Sequence, residues 1–252
     1  MKYFVKQDSI VRQIWGRADT TLFIFAGSAA EFALNKAVDW LYFTGRLPAD
    51  PLGRLFSTVT YAREIIFAEE EAALKSIDKI TVIHKGVEQN RGARIPDWAY
   101  RDVLFMLIDY SIRSFELLDR PLTYAEKVEV FDVFYRVGIR MRLTGLPHTF
   151  TGWLPARREH LQQDLVNSTY TYHLYQQYKK HLGPLRYLLL IKVQLLLVPE
   201  TVSNLLALGK PGWINPALKF YKLLRRFKAE GFLRNALLPA DYKVQIKQLD
   251  KY

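Results

Sequence analysis

Asp50-Pro51-Leu52-Gly53-Arg54-Leu55-Phe56-Ser57-Thr58 opens the span that decides the fold, and Thr81-Val82-Ile83-His84 closes it. A carboxylate followed by proline is a helix start. Asp50 can take up free N–H groups of the first turn, and Pro51 has no N–H to leave unpaired. Along that helix Arg54 and Thr58 fall one turn apart on one face, and Tyr61 continues the stripe. Glu69-Glu70-Glu71 opens the next helix, because acidic side chains favour its positive end. Ile80-Thr81-Val82-Ile83 is β-branched enough for a strand, but the helical pattern continues on both sides, so helix is the expectation. This second helix carries His84 among Ile80, Val82, Ile83 and Val87. A lone histidine so placed is either a hydrogen-bonded core residue, the commoner role, or an axial metal ligand. The residues alone leave both open.

Outward from these two helices the chain reads as helix in both directions. Residues 8–15 form a short one packing Ile10, Ile14 and Trp15. A long, nearly neutral helix is expected from Thr20 to about Tyr42, with Ala26-Gly27-Ser28-Ala29-Ala30 in its middle. Small residues allow a close helix crossing or a flat cofactor against the backbone; crossing is the commoner cause. Gly45 to Gly53 reads as a loop, and the Arg54 helix runs to Phe67. Gly92 and Pro96 mark a break before a helix from Asp97 to Leu118. Thr123-x-x-Glu126 is a capping box opening a helix to about Leu143. After the loop Gly145-Leu146-Pro147-His148, Pro155 begins a polar helix towards His181, broken by Gly183-Pro184. Arg186 to Leu208 is the most apolar helix, kinked at Pro199. Asn215-Pro216 caps the last helix, which Gly231 ends. The expected fold is all-α: one multi-helix domain over residues 1–209 and a basic helical extension over 210–252.

Composition narrows the chemistry. The 252 residues are 50% hydrophobic and 14% aromatic, ample for a core and too apolar for disorder. No cysteine is present. That excludes disulfides, thiolate zinc and iron–sulfur sites, covalent c-type haem attachment and thiolate-ligated haem. The first residues lack the apolar stretch of a signal peptide, and no apolar run reaches the roughly eighteen uncharged residues of a membrane span. The expected location is cytoplasmic, with a peripheral position at a membrane open.

The charge is +11, and from Lys210 to Tyr252 ten Lys or Arg face three acids, so +7 belongs to the extension. Between Pro216 and Glu230, Phe220, Leu223, Leu224 and Phe227 fall on one arc, and Lys219, Lys222, Arg225 and Arg226 on the other. Such a helix suits an anionic membrane, nucleic-acid phosphates, or a core helix with a solvated outer face. Nucleic acid is not the expected partner.

Other constellations are weaker. His84 and Glu88, at i and i+4, could share a non-haem metal, but the chain has no Glu-x-x-His, which removes the usual di-iron helix signature. His160 and Asp164 repeat the spacing beside Arg157-Arg158-Glu159, where a solvated face is expected. Tyr170, Tyr172, His173, Tyr175 and Tyr178 read as a tyrosine-rich face packing on the core. Neither a P-loop, a Gly-x-Gly-x-x-Gly nor a Gly-x-Ser-x-Gly is present, so nucleotide-binding and serine-hydrolase readings have no support.

The Arg-Leu-x-x-Thr segment at 54–58, followed by a helix with one histidine, resembles the rubber oxygenases (latex-clearing proteins) and MpaB-type oxygenases. The similarity runs from about Ile10 to Leu161, through Val-Arg-x-Ile-Trp at 11–15 and a Leu-Pro segment near 146–155. Three features depart from it. Ser57 stands where rubber oxygenases can carry an iron-capping lysine, Asn35-Lys36-Ala37-Val38-Asp39 replaces a His-Pro, and the family's distal glutamate has no counterpart we can place. The resemblance implies a b-type haem held by His84 in a globin-like core, with Arg54 and Thr58 on the distal side. Dioxygen would bind opposite His84, Arg54 stabilising negative charge or orienting a propionate and Thr58 donating a hydrogen bond. It also implies a lipophilic, isoprenoid-like substrate attacked at a carbon–carbon double bond. A haem sensor or carrier without turnover, and a cofactor-free membrane-associated helical protein, are the alternatives. His148, His160, His173 and His181 are expected to tolerate replacement.

Overall fold

The computed structural model describes residues 2–210 and 212–226. The described residues are all-α: they contain no strand, only the isolated bridges Tyr3–Glu69 and Asn35–Leu165.

The first helix, α1 (Ile10–Trp15), starts where the Ser9 hydroxyl accepts the Val11 N–H at 3.1 Å, and it buries Ile14 and Trp15 completely. In α2 (Ala18–Leu34) fourteen of seventeen residues are buried, so this is the helix around which the others pack. The expected continuation to Tyr42 fails at Asn35. Its side chain accepts the Ala37 N–H at 2.8 Å and donates to Asp102 at 3.0 Å, taking the place of helical hydrogen bonds. The chain restarts as α3 (Val38–Phe43). The loop expected from Gly45 to Gly53 holds one further turn, α4 (Arg46–Ala49), and stops at Asp50.

From there α5 (Pro51–Phe67) begins as its sequence dictates, with Asp50 Oδ1 accepting the Gly53 N–H at 2.8 Å. Residues 80–83 are helical within α6 (Glu70–Arg91), which ends at Gly92 in the left-handed region, φ 68°. Next come α7 (Asp97–Leu118) and α8 (Tyr124–Arg140), the latter opened by the Thr123/Glu126 capping box and ending three residues before Leu143.

Pro155 does not open a helix. Thr149 Oγ1 accepts the Gly152 N–H at 3.1 Å, so α9 (Phe150–Gln163) starts five residues earlier and carries Pro155 inside it. The polar helix expected to continue to His181 is interrupted at 164–168, where Lys36 N–H donates to Asp164 O at 2.9 Å and Val166 N–H to Leu34 O at 2.7 Å. It resumes as α10 (Thr169–Leu197), kinked at Gly183, φ 72°. Pro199 ends the apolar stretch outright instead of kinking it, and α11 (Glu200–Leu205) follows. The last described helix, α12 (Ile214–Arg226), lies against the start of α2 and the end of α7. Phe227, the expected stop at Gly231 and the rest of the basic extension lie outside the described residues.

The core forms where α2 crosses α7 and α10, with α7 packed on α8. A β-carbon at Gly27 would stand 2.3 Å from Tyr110 Cδ1. The small residues of α2 therefore serve close crossing. No helix among the described residues is long and apolar enough to cross a membrane.

Candidate functional site

Arg54, Thr58 and His84 lie on the hairpin of α5 and α6. The charge of Arg54 acts on His84, and Lys79 Nζ lies 5.6 Å from the Tyr61 ring centroid. The two pairs, 54 with 84 and 61 with 79, set an antiparallel register. His84 is half-buried. At 100° per residue it shares its face of α6 with Ile77 and Ile80. Val82 and Ile83, 67% and 45% exposed, turn elsewhere. Two of the apolar neighbours expected from the sequence are thus not neighbours in space.

The imidazole is held from two sides. Its Nδ1–H donates to the Ile80 carbonyl at 2.8 Å, and Tyr100 meets it edge-on with centroids 5.2 Å apart. Burial holds its pKa below the ordinary histidine range, against the pull of the Ile80 bond, and the nearby Arg54 cation lowers it further. His84 is therefore a neutral imidazole at pH 7, with Nε2 making no hydrogen bond among the described residues. Arg54 Nη1 donates to Thr58 Oγ1 at 2.9 Å and Ser57 Oγ at 3.3 Å, and both hydroxyls donate back to the Arg54 carbonyl. The Glu88 charge pulls the His84 pKa up, as the smallest of the influences on it, but its carboxylate makes its hydrogen bonds elsewhere. It accepts from Ile95 N–H at 2.9 Å and the Tyr100 hydroxyl at 3.3 Å, closing the turn between α6 and α7.

This donor chemistry fits a haem-iron ligand. An imidazole that binds iron must be neutral, oriented through its other nitrogen, and unpaired at the binding nitrogen. His84 meets all three conditions. An apolar crevice lined by Leu104, Phe105, Ile108, Phe131, Phe134 and Tyr135 lies elsewhere, between α7 and α8, and Arg54, Thr58 and His84 take no part in it.

The remaining histidines divide sharply. His148 pairs with the Tyr135 hydroxyl and His173 with that of Tyr42, both at 3.0 Å. Tyr178 is buried and Tyr175 bonds the buried Gln194 at 3.0 Å, so these two pack on the core as expected, whereas Tyr170 and Tyr172 are exposed. His160 is the correction. It does not sit on a solvated face but is 3% exposed, at the centre of a buried charge cluster joining α2, α7 and α9. Its Nδ1 lies 2.6 Å from Asp102 Oδ1 and 3.2 Å from Asp164 Oδ2, and its Nε2 lies 3.1 Å from Glu31 Oε1. Arg157 forms a fork on Glu31 at 2.5 and 2.6 Å and reaches Asp109 at 3.0 Å, while Tyr110 donates to Glu31 at 2.9 Å.

Burial opposes charge at Glu31, yet Arg157 and His160 together bring its carboxyl down to about 2. Burial likewise pushes His160 down, but Asp102 and Glu31 outweigh it and raise its pKa to about 9. Asp102, His160 and Asp164 offer atoms within 4.8 Å of one another, a set that could hold a metal ion. In the observed arrangement a proton joins them: 2.6 Å is a charge-assisted hydrogen bond, shorter than the roughly 2.9 Å between ligands of one small cation. The sequence signals for the cluster were Glu31 among alanines, Asp109 inside Phe-Met-Leu-Ile-Asp-Tyr, and Arg157 and His160 three residues apart.

Residues 12–225 match a family model described as ER-bound oxygenase mpaB/B′/rubber oxygenase, catalytic domain. The match takes in both the His84 hairpin and the buried cluster. No curated protein and no solved structure matches the chain.

Proposed function

The chain belongs to the MpaB and rubber oxygenase family, and from that premise we propose that it is a haem-b-dependent oxygenase acting with dioxygen on a lipophilic, isoprenoid-like substrate. One observation carries the haem assignment. His84 is a neutral imidazole with Nδ1 fixed on the Ile80 carbonyl at 2.8 Å and Nε2 unpaired among the described residues. Haem, when bound, supplies an iron centre able to activate dioxygen for attack on a carbon–carbon double bond.

The chain's own residues do the rest. Ile80 and Tyr100 fix the imidazole ring, so that binding does not have to order it. Arg54 supplies a permanent cation beside the site, where it can hold a propionate or stabilise negative charge developing on oxygen. Thr58 and Ser57 orient that guanidinium, and the Thr58 hydroxyl can redirect its proton to a bound group. A lipophilic substrate concentrates in bilayers, so the reading includes peripheral association with an anionic membrane.

A non-catalytic haem sensor or carrier is the second reading. It is favoured by Ser57 at the position of a capping lysine and by the Arg54 guanidinium folded onto its own helix. Oxygen uptake separates the two: the holoprotein should consume dioxygen when given a polyisoprenoid, and Arg54→Ala and Thr58→Ala should keep haem but lose at least about tenfold in rate. Full haem loading with no uptake on any isoprenoid would favour the sensor. Purification and reconstitution without a Soret band would return the chain to a cofactor-free role.

A further inference from the structure

A helix lying on a globular protein ordinarily turns its apolar stripe inward and its charges outward. Much of α12 does the reverse. Beside the buried Ile214 and the part-buried Leu218, the inner arc is polar. Tyr221 stacks on Phe23 with centroids 6.5 Å apart and gives its hydroxyl to Asp19 Oδ2 at 3.0 Å. Lys222 Nζ donates to the Leu117 carbonyl at 3.0 Å. Arg225 bridges Asp19 and Asp119, each at 2.6 Å, and donates to the Leu118 carbonyl at 3.2 Å. Cations at the C-terminal carbonyls of α7 meet the negative end of its dipole, so these charges are well placed facing inward.

The outward arc holds Trp213, Pro216, Phe220 and Leu223, spaced three, four and three residues apart. Trp213, Phe220 and Leu223 are 51%, 59% and 52% exposed. Single exposed apolar side chains are ordinary on any surface; a continuous stripe on a helix pinned by its charges is not.

We propose that this stripe docks into the headgroup region of an anionic bilayer, with α12 lying along the surface. The charge around it selects that partner. Residues 210–226 contain five basic side chains and no acidic one; Lys222 and Arg225 are turned inward, and Lys210 and Lys219 are exposed at the start of the segment and beside the stripe. An apolar groove on another protein has no need of that surplus; anionic headgroups do. Tryptophan at the head of the stripe suits the membrane interface. Leu185 and Leu188 of α10, 72% and 45% exposed, share a helix face with Lys192, whose Nζ reaches the Lys210 carbonyl at 3.0 Å. The exposed apolar surface of α10 thus leads toward the start of α12. The assignment differs from the sequence expectation, in which Arg225 met lipid: here Arg225 is the clamp, and the stripe with Lys219 is the lipid face. It rests on the peripheral part of the functional reading and not on haem.

The test is co-sedimentation of the full chain with vesicles of phosphatidylcholine alone or mixed with phosphatidylserine. The wild type should bind the anionic vesicles and not the neutral ones. Phe220→Ser/Leu223→Ser should cut that partitioning at least about tenfold, and Lys219→Ala should weaken it at low salt only. Both replaced side chains are exposed, so an unchanged thermal transition and haem content should accompany the loss; Leu223→Ser alone serves if the double variant melts early. Anionic binding that the double variant retains would overturn the stripe and leave peripheral association standing. Absence of wild-type binding would overturn both. A wild-type dimer that the double variant dissolves, with no vesicle binding, would assign the stripe to a second copy and overturn the proposal.

Discussion

Arg157 and His160 show what a single residue position can conceal. Charge along Arg157-Arg158-Glu159-His160 averages over all sides of a helix, but at 100° per residue the first and last share a face. Arg158 and Glu159 are exposed, while Arg157 and His160 are buried against Glu31, Asp102 and Asp109. The i, i+4 pairing of His160 with Asp164 was visible in the sequence; its burial was not, because the acids that receive it come from α2 and α7. The pH dependence follows. His160 rises from 6.5 to about 9 on folding, so its contribution is complete below pH 6.5 and is lost as pH climbs through 9. Glu31 falls from 4.5 to about 2, so its contribution is complete above pH 4.5 and is lost as pH falls through 2. These two groups alone place the highest thermal midpoints between pH 4.5 and 6.5, and His160→Gln should flatten the alkaline decline. An unchanged alkaline limb in that variant would remove His160 from the account. Arg157→Met leaves Glu31 buried without its main partner and should cost about 3–5 kcal/mol in denaturant unfolding.

Three helix boundaries were legible because their causes are local. Asp50 before Pro51, Thr123 with Glu126, and Gly92 as a left-handed stop each act within a few residues. Thr123→Ala should cost about 1 kcal/mol by removing one member of the capping box, and a melt against wild type reads it. Breaks set by distant partners were not legible. Asn35 ends α2 because Asp102 and the segment at 164–166 meet it. The start of α9 was missed although its cause is local: Thr149 caps the Gly152 N–H three residues on, ahead of the proline expected to open the helix. The small residues of α2 were legible as to role but not as to partner. Gly27→Ala puts a methyl 2.3 Å from the Tyr110 ring, whose hydroxyl is tied to Glu31, so the ring cannot easily give. Such overpacking should lower stability by about 1–3 kcal/mol or more. A variant as stable as wild type would mean that α2 and α7 can separate at little cost.

At the scale of the molecule, one helical domain sets a half-buried histidine in the α5–α6 hairpin beside an arginine, within a chain that belongs to an oxygenase family. The pairing of Arg54 with Thr58 and the existence of His84 were readable from the sequence. A neutral imidazole donating through its other nitrogen to a backbone carbonyl or a carboxylate was also expected; that the acceptor is Ile80 of its own helix, and that the ring is covered by burial and met edge-on by Tyr100, was not. The central claim is that His84 is the iron ligand of a b-type haem, and haem titration of the purified protein tests it most directly. Wild type and His173→Ala should develop a Soret band that saturates near one haem per chain. His84→Ala, still helical, should bind haem at least about tenfold more weakly, with a displaced band. Equal stoichiometry and an unchanged spectrum in His84→Ala would contradict the account.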